Sequence, residues 1–204
     1  MDNYLDFFNL MAYDFAGSWD ATAGHQANLY PSKSNPSSTP FSIDAAVRYY
    51  ISQGVHSGKI VLGMPIYGRA FENTDGPGKP FSGTGQGTWE NGVHDFKKLP
   101  LPGSEEKYDE EAGATYCYDP TKRVLVTYDT VEMARKKAEH IKREGLGGAM
   151  WWESSADANG EASLIRNVVH VLGGSGGMGM EKKENCLEYP ESRYENLKTG
   201  FPGE

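Results

Sequence analysis

The stretch KIVLGMPI, residues 59–66, is a near-continuous apolar run, and it decides the fold class. Such a run predicts a strand buried on both faces, which is typical of a parallel sheet covered by helices. Residues 4–13 and the stretch GLGGAMWW, residues 145–152, share this pattern, so we expect three strands of this kind. Between the first two, Ser42 is a suitable N-cap, and apolar residues recur at helical spacing until Gly54. The order strand–helix–strand predicts an α/β protein.

The segment between the second and third expected strands has a different character. Residues 72–118 are rich in glycine, proline and aromatic residues and lack helical periodicity. Short strands are expected at residues 115–118 and 124–128, joined by a turn over residues 119–122, where Asp and Pro favour a turn. The pattern therefore predicts a small antiparallel insertion.

A second helix is expected directly after this insertion. Asp129 is the predicted N-cap, with Glu132 as its capping-box partner, and Gly145 is predicted to end the helix. A third helix is expected over residues 164–172. Each of these helices adjoins one of the expected parallel strands, as an α/β fold requires.

Composition excludes several classes of function. The chain has 204 residues, of which 38% are hydrophobic, so it is globular but short for a complete (β/α)8 barrel of about 250 residues. The net charge of −8 and the scattered basic residues argue against nucleic-acid binding. No apolar run approaches the ~18 residues of a membrane span. The five histidines lack ligand spacing, so no metal is expected.

The cysteines and the first residues leave the cellular compartment open. Cys117 and Cys186 are too few for a disulfide framework; they could pair, or both could be free thiols. The first residues, MDNYLDFF, lack the basic and apolar regions of a signal peptide.

The candidate functional residues follow the expected parallel strands. Because the carboxyl ends of parallel strands meet at one edge of a sheet, side chains there converge on one mouth. Aromatic rings beside one carboxylate and one guanidinium suit a neutral sugar, since rings stack on pyranose faces and fixed polar groups bind hydroxyls. The residues expected at this mouth are Tyr13, Asp14, Trp19, Tyr67, Arg69 and Trp152.

Four motifs in this order give the sequence a family resemblance. They are MAYD (residues 11–14), GMPIYGRAF (63–71), FSGTGQGTWENGVHDFKKLP (81–100) and GLGGAMWWE (145–153). The chain resembles family-18 chitinases of the fungal type from Tyr4 to about Phe201. The resemblance implies the C-terminal portion, strands 6–8, of a (β/α)8 TIM barrel with an α+β insertion domain between strands 7 and 8. It divides the chain into residues 1–71 (strands 6 and 7), 72–143 (the insertion) and 144–204 (strand 8, the final helix and the tail).

One hallmark of that family is not found in this sequence. The family's proton donor is the last Glu of the motif DxxDxDxE on barrel strand four, and this chain contains no such pattern. Met1 and Asp2 resemble an internal Met-Asp pair that the family has before strand six. We therefore expect a partial coding sequence that lacks the N-terminal half of the barrel, with the 204-residue chain inactive alone.

By resemblance, the reaction is a retaining hydrolysis of β-1,4-linked N-acetylglucosamine in which the substrate's own acetamido group is the nucleophile. Tyr13 would hold that acetamido group in line, and Asp14 would hydrogen-bond the sugar in the cleaved position and its neighbour. These two are the catalytic candidates within the chain. The other residues would bind substrate: Met11 as pocket floor, Trp152 by stacking, Tyr67 and Arg69 at sugar hydroxyls, and Trp19 and Glu90 at outer subsites and the insertion wall.

Other interpretations remain open from the residues alone. Met11 could be a core residue, Trp151 is expected to pack inward since strand alternation points it away from Trp152, and Glu153 could be mistaken for the acid. The whole protein could instead be a chitin-binding lectin without the acid, or the chain an inactive fragment. The expected partners are chitin or N-acetylglucosamine oligomers, with no cofactor, and the family implies an extracellular location, although an intracellular one is possible.

Overall fold

A computed structural model describes residues 2–173, 179–184 and 188–199. Among the helices of these residues, none combines the length and apolar character that a membrane span needs. Cys186 lies outside the described residues, so its pairing with the buried Cys117 stays an open prediction. The strands are β1 (Phe8–Leu10), β2 (Ile60–Pro65), β3 (Tyr67–Phe71), β4 (Val93–Asp95), β5 (Glu105–Asp109), β6 (Ala114–Asp119), β7 (Val124–Thr127) and β8 (Gly148–Trp152), and the helices are α1 (Ile43–Ser52), α2 (Val131–Glu144), α3 (Leu164–Gly173) and α4 (Glu195–Lys198).

Three strands form a parallel sheet in the order β1-β2-β8, which confirms the three predicted parallel strands. Leu62 lies opposite Leu10 on one side and Ala149 on the other, and its side chain is fully buried. Helix α2 packs against β8 and α3, so helices cover the sheet as the apolar pattern of β2 predicts. The three carboxyl ends therefore lie at one edge.

The first strand is shorter than predicted. The sequence suggested a strand over residues 4–13, but β1 covers only Phe8–Leu10 and a short 3-10 helix occupies Asp2–Tyr4. Lys59 holds this helix in place by donating to the carbonyls of Asp2 (2.6 Å) and Leu5 (3.0 Å). At the other end, the Ala12 amide donates to the Leu10 carbonyl at 2.8 Å, a tight turn that takes the chain out of the sheet.

The insertion forms a second, antiparallel sheet of five strands in the order β4-β3-β7-β6-β5. The predicted hairpin is confirmed: β6 pairs with β7, and Asp119 Oδ1 accepts from the amides of Thr121 (2.9 Å) and Lys122 (3.0 Å) in the turn. Strand β3 follows β2 after the single residue Ile66, yet among the described residues its partners are the insertion strands β4 and β7. The predicted division after residue 71 therefore cuts between strands of one sheet, and the three-part division itself stays a prediction.

The predicted N-cap of α2 is wrong. Thr130, not Asp129, caps the helix, since its hydroxyl accepts from the Met133 amide at 3.2 Å. Glu132 is then the second helical residue and cannot complete a capping box, which needs the third. Asp129 instead forms a buried ion pair with Lys137, at 2.7 and 2.5 Å. The buried ammonium of Lys137 needs a counter-ion. Asp129 supplies it from a position just before the N-cap Thr130.

The other predicted helix ends are confirmed. Ser42 caps α1 by accepting from the Ala45 amide at 3.3 Å, and Gly54 follows that helix with a positive φ of 90°. Gly145 ends α2 in the left-handed conformation, at φ 62°. A glycine adopts this conformation without the strain that a Cβ adds.

Candidate active site

The candidate site is centred on the carboxylate of Asp14, just beyond the end of β1. Its Oδ1 accepts from the Tyr67 hydroxyl and from Arg69 Nε, each at 2.6 Å. Tyr67 and Arg69 lie two residues apart on β3, so their side chains share one face of the strand. Asp14 thus joins the end of the parallel sheet to the insertion sheet. The sequence predicted that these three residues lie close together.

Asp14 keeps one oxygen available. Both donors reach Oδ1, no donor in the described ranges is assigned to Oδ2, and the side chain is 35% exposed. The backbone at Asp14 has a φ of 59°, a left-handed conformation that Asp tolerates better than most residues. This conformation turns the chain sharply after the strand.

The surroundings fix the protonation of both donors. Burial, then the hydrogen bond to the Asp14 carboxylate, raises the pKa of Tyr67 far above its ordinary value. Burial lowers the pKa of Arg69, but its hydrogen bond to Asp14 and the carboxylate charge outweigh this and raise it overall. At neutral pH, Tyr67 is therefore a neutral donor and Arg69 a permanent cation.

Tyr13 lies next to this centre and is nearly buried. Its ring meets that of Tyr67 edge-on, with centroids 6.4 Å apart. Burial, and then the negative charge of Asp14, raises the pKa of the Tyr13 hydroxyl. A Cβ added at Gly63 of β2 would lie 2.8 Å from the Tyr13 ring and 2.6 Å from the Leu10 carbonyl oxygen. Gly63 therefore makes room for Tyr13, a role that a glycine inside a buried strand could have signalled.

Exposed side chains flank the centre. The Trp19 ring lies 4.8 Å from the guanidinium carbon of Arg69 and is 59% exposed. Trp152 ends β8 with 61% of its surface exposed, whereas Trp151 packs against the core as strand alternation predicted. Met11 is 68% exposed, so its interpretation as a core residue is wrong. Exposed apolar rings around a carboxylate can stack on the apolar faces of a polar ligand.

Neither of the two remaining acidic candidates is hydrogen-bonded to Asp14, Tyr67 or Arg69 in the part of the chain that the structure describes. Glu90 is exposed in the loop before β4, where its backbone bridges to Val93. Glu153 accepts from the Ser155 amide at 3.1 Å and from the Ser155 hydroxyl at 2.5 Å, and these bonds lower its pKa. A carboxylate kept ionised in this way is a poor proton donor, which weakens Glu153 as a general acid.

One cluster of possible metal ligands lies elsewhere, between α1 and α2. Donor atoms of Asp44, His140 and Glu144 lie within 4.8 Å of one another, which spacing along the sequence did not reveal because the ligands come from two helices. Each carboxylate already has a cation: Asp44 pairs with Arg48 at 2.7 Å and Glu144 with Arg143 at 3.0 Å. The cluster is therefore an ion-pair network between the two helices.

Known proteins with the same sequence pattern are chitinases. Chitinase 1 of Aphanocladium album is 48% identical over 197 residues, covering 97% of this chain and 45% of that protein. Endochitinase 1 of Metarhizium robertsii is 49% identical over 194 residues, covering 95% and 45%. The chain thus spans about half the length of the curated relatives it matches.

A solved structure shares the mixed α/β fold. The catalytic domain of the psychrophilic chitinase B from Arthrobacter TAD20 aligns with a TM-score of 0.76 at 33% identity, covering 88% of this chain and 41% of that one. The model of the glycosyl hydrolases family 18 matches residues 1–157, which include β1 to β8 and every candidate site residue. With the motifs, the fold and the relatives in agreement, the chain belongs to glycosyl hydrolase family 18.

Proposed function

We propose that this site holds a chitin chain in a hydrolase of β-1,4-linked N-acetylglucosamine. The observation that carries the proposal is Asp14 Oδ2, a partly exposed carboxylate oxygen left available beside two fixed donors, Tyr67 and Arg69. The exposed rings of Trp19 and Trp152 supply the stacking surfaces that pyranose rings need. Chitinases among the relatives at 48–49% identity support the same substrate class.

The proposed architecture is the C-terminal part of a (β/α)8 barrel, strands 6–8, with the insertion between strands 7 and 8. The parallel order β1-β2-β8 with helices outside the sheet supports it, because a closed barrel continues such a sheet beyond both edges. The partner that completes the site is then the N-terminal half of the barrel, which carries the proton donor. An extracellular location follows from the substrate, since chitin is a structural polymer.

The proposed reaction divides the work between the two halves. The Glu from the N-terminal half protonates the glycosidic oxygen, and the acetamido carbonyl oxygen attacks the anomeric carbon as the bond to the leaving sugar breaks. Tyr13, whose pKa burial raises further above neutral pH, holds the acetamido group in line by hydrogen bonding as a neutral donor. Water then opens the oxazolinium ion, and the anomeric configuration is retained.

The experiment uses a chimera in which residues 1–204 replace the matching part of Aphanocladium album chitinase 1. We expect turnover of chitin oligomers, with the β-anomer detected first by NMR. Tyr13→Phe is expected to lower kcat by about a hundredfold while KM changes little, because the hydroxyl acts on the reacting group. Tyr116→Phe, which removes a tyrosine hydroxyl in the insertion sheet, is the control and should behave as wild type.

Three results would count against this function. A kcat for Tyr13→Phe within about twofold of wild type is below the effect of one transition-state contact and removes Tyr13 from the reaction. Oligomer binding without turnover in the intact natural protein favours the alternative, a chitin-binding lectin, which the lack of a DxxDxDxE motif in this sequence also allows. A chain that neither binds nor completes an active chimera is an inactive fragment.

A further inference from the structure

Gln26 is completely buried in the loop between β1 and α1, and it belongs to no part of the site described above. A buried side-chain amide destabilises the fold unless hydrogen bonds replace those that it made to water. The partners of Gln26 therefore indicate what this residue holds in place.

The side-chain amide of Gln26 bridges two strands of the insertion sheet. Its Nε2 donates to the carbonyl of Tyr67 on β3 at 2.7 Å and to the carbonyl of Thr127 on β7 at 3.1 Å. The ladder between these strands pairs Arg69 with Thr127 and runs from there toward Phe71, so Tyr67 lies just beyond its end. Gln26 thus joins β3 and β7 at the point where their pairing ends.

The chemistry of these partners fixes the orientation of the amide. Carbonyl oxygens only accept hydrogen bonds, so the Nε2 group with its N–H donors must face Tyr67 and Thr127. The Oε1 atom of Gln26 is then buried, and no partner is assigned to it in the part of the chain that the structure describes. Since an unpartnered buried oxygen costs free energy, the donors are what this position requires of the side chain.

The backbone of Gln26 is bonded to the segment that carries Asp14. The Phe15 amide donates to the Gln26 carbonyl at 2.9 Å, and the Gln26 amide donates to the Thr127 hydroxyl at 3.3 Å. Phe15 directly follows Asp14 in the chain. Gln26 therefore holds the segment with the carboxylate and also the strand with its donors, Tyr67 and Arg69.

We propose that Gln26 is a positioning residue for the reaction, which keeps Asp14 and Tyr67 at hydrogen-bonding distance by holding both chain segments. The proposal rests on the proposed function, and it names a residue that affects the substrate only through the Asp14 centre. The hydrogen bonds of Tyr67 and Arg69 to Asp14 Oδ1 fix the direction of Oδ2, the oxygen that faces the substrate in that function. A shift of about 1 Å in such a group costs about a hundredfold in rate, so the two segments need a common anchor.

The test compares Gln26→Met with wild type in the chimera with Aphanocladium album chitinase 1. Methionine keeps the length of the side chain but removes its donors, so we expect kcat to fall by about tenfold while KM changes by less than about twofold. The Arg69 Nε–H signal, observed by NMR after isotope labelling of arginine, should also move, because it reports the hydrogen bond to Asp14. The control Asn167→Leu removes another buried amide, which donates to two carbonyls just before α3; it should lower stability without changing kcat or this signal.

The outcomes separate this inference from the proposed function. Turnover by the wild-type chimera upholds the function, whereas a folded Gln26→Met with unchanged kcat, or with an unchanged Arg69 signal, overturns the positioning role. Equal losses in kcat for Gln26→Met and Asn167→Leu overturn it too. A wild-type chimera without turnover overturns the function and, with it, the inference.

A milder variant decides if Gln26→Met does not fold. Thr127→Val removes only the hydroxyl that accepts from the Gln26 amide and keeps the shape of the side chain. It should lower kcat by about threefold, the effect of one lost hydrogen bond, and move the Arg69 signal. Wild-type values for both measurements overturn the positioning role of Gln26.

Discussion

At Asp14 the backbone and the side chain make separate demands on the residue. The left-handed φ of 59° disfavours residues other than Gly, Asn and Asp, while Tyr67 and Arg69 need an acceptor at that position. Few residues satisfy both demands, and an aspartate adds the charge that balances the guanidinium. The Asp14 carboxylate is therefore also a structural link between the two sheets.

Substitutions at Asp14 should separate these demands. Asp14→Asn keeps the backbone conformation and an acceptor but loses the charge, so we expect a loss of about 1–2 kcal/mol in the free energy of unfolding. Asp14→Ala also strains the backbone and should cost about 1–2 kcal/mol more. Denaturant unfolding measures both. The control is Asp75→Ala, which removes an exposed pair with Arg123 worth about 0–1 kcal/mol; equal losses at the two positions would contradict this argument.

The sequence predicted the residues at the centre of the site better than the strand pairing around it. Tyr13, Asp14, Tyr67 and Arg69 follow or adjoin buried strands, and the ends of neighbouring strands must lie close together. The pairing of β3 with β4, which sets Asp95 opposite Tyr67 and Val93 opposite Arg69, was not predicted. Such a register depends on long-range pairing, which no local pattern specifies.

At the scale of elements, the carboxylates of Glu111 and Asp109 hold the long loop over residues 14–39 against the insertion by hydrogen bonds. Glu111 accepts from the Ser32 hydroxyl at 2.7 Å, the Lys33 amide at 2.8 Å and the Ser34 hydroxyl. Asp109 accepts from the buried His25 at 3.3 Å. These bonds lower the pKa of Asp109, and the hydrogen bond from His25 makes the largest contribution. They lower the pKa of Glu111 to about 2, with the largest contributions from the hydroxyls of Ser34 and Ser32.

The hydrogen bonds between Glu111 and the loop over residues 14–39 should therefore weaken in acid. A carboxylate whose folded-state pKa is depressed stabilises the fold fully above its ordinary pKa, which is 4.5 for Glu111, and loses this effect as the pH falls toward about 2. We expect the protection of the Lys33 and Ser34 amides in hydrogen exchange, corrected for the intrinsic rate, to fall over this range. Glu111→Gln should lower it by about tenfold already at pH 7.

The neighbouring Glu110 offers a matched control, because it is exposed and no hydrogen bond or ion pair is assigned to it in the described residues. Glu110→Gln should leave the protection of both amides and its pH profile as in wild type. If Glu111→Gln keeps wild-type protection at pH 7, the loop is held by packing instead of by these hydrogen bonds.

Elements were predictable where local chemistry decides them. Helix α1 begins after Ser42 and ends before Gly54, and α2 ends at Gly145, as predicted. Such ends are predictable because a cap satisfies backbone groups within a few residues. The start of α2 was not predicted correctly, because Asp129 and Thr130 both suit an N-cap. Only the buried Lys137, eight residues further along and on the helix itself, distinguishes them by taking Asp129 as its counter-ion. The burial of a charged side chain within the helix thus decides between two residues that suit the N-cap equally well.

At the scale of the whole molecule, the two sheets differ at their edges. Strand β5, with the sequence EEKYD, ends the insertion sheet with charged and exposed residues, which discourage pairing with another chain. Strand β1, with the sequence FNL, forms one edge of the parallel sheet and β8 the other, and the exposed side chains of Tyr4 and Phe7 lie just before β1. An apolar edge with unpaired backbone groups favours association.

We therefore expect the isolated chain to associate through β1 as its concentration rises and to show no turnover of chitin oligomers. Among the residues that the structure describes, no strand pairs with the outer side of β1, so its backbone donors and acceptors are available there. A site that positions substrate without a proton donor leaves a poor leaving group on the sugar. Sedimentation velocity measures the first part and an oligomer assay the second. Phe7→Lys should shift the chain toward monomer, because a charge at an edge opposes pairing, whereas Tyr49→Lys on α1 should not. A wild-type chain that stays monomeric at all concentrations and turns over substrate would contradict both parts, and Glu153 or Glu90 would then have to supply the proton.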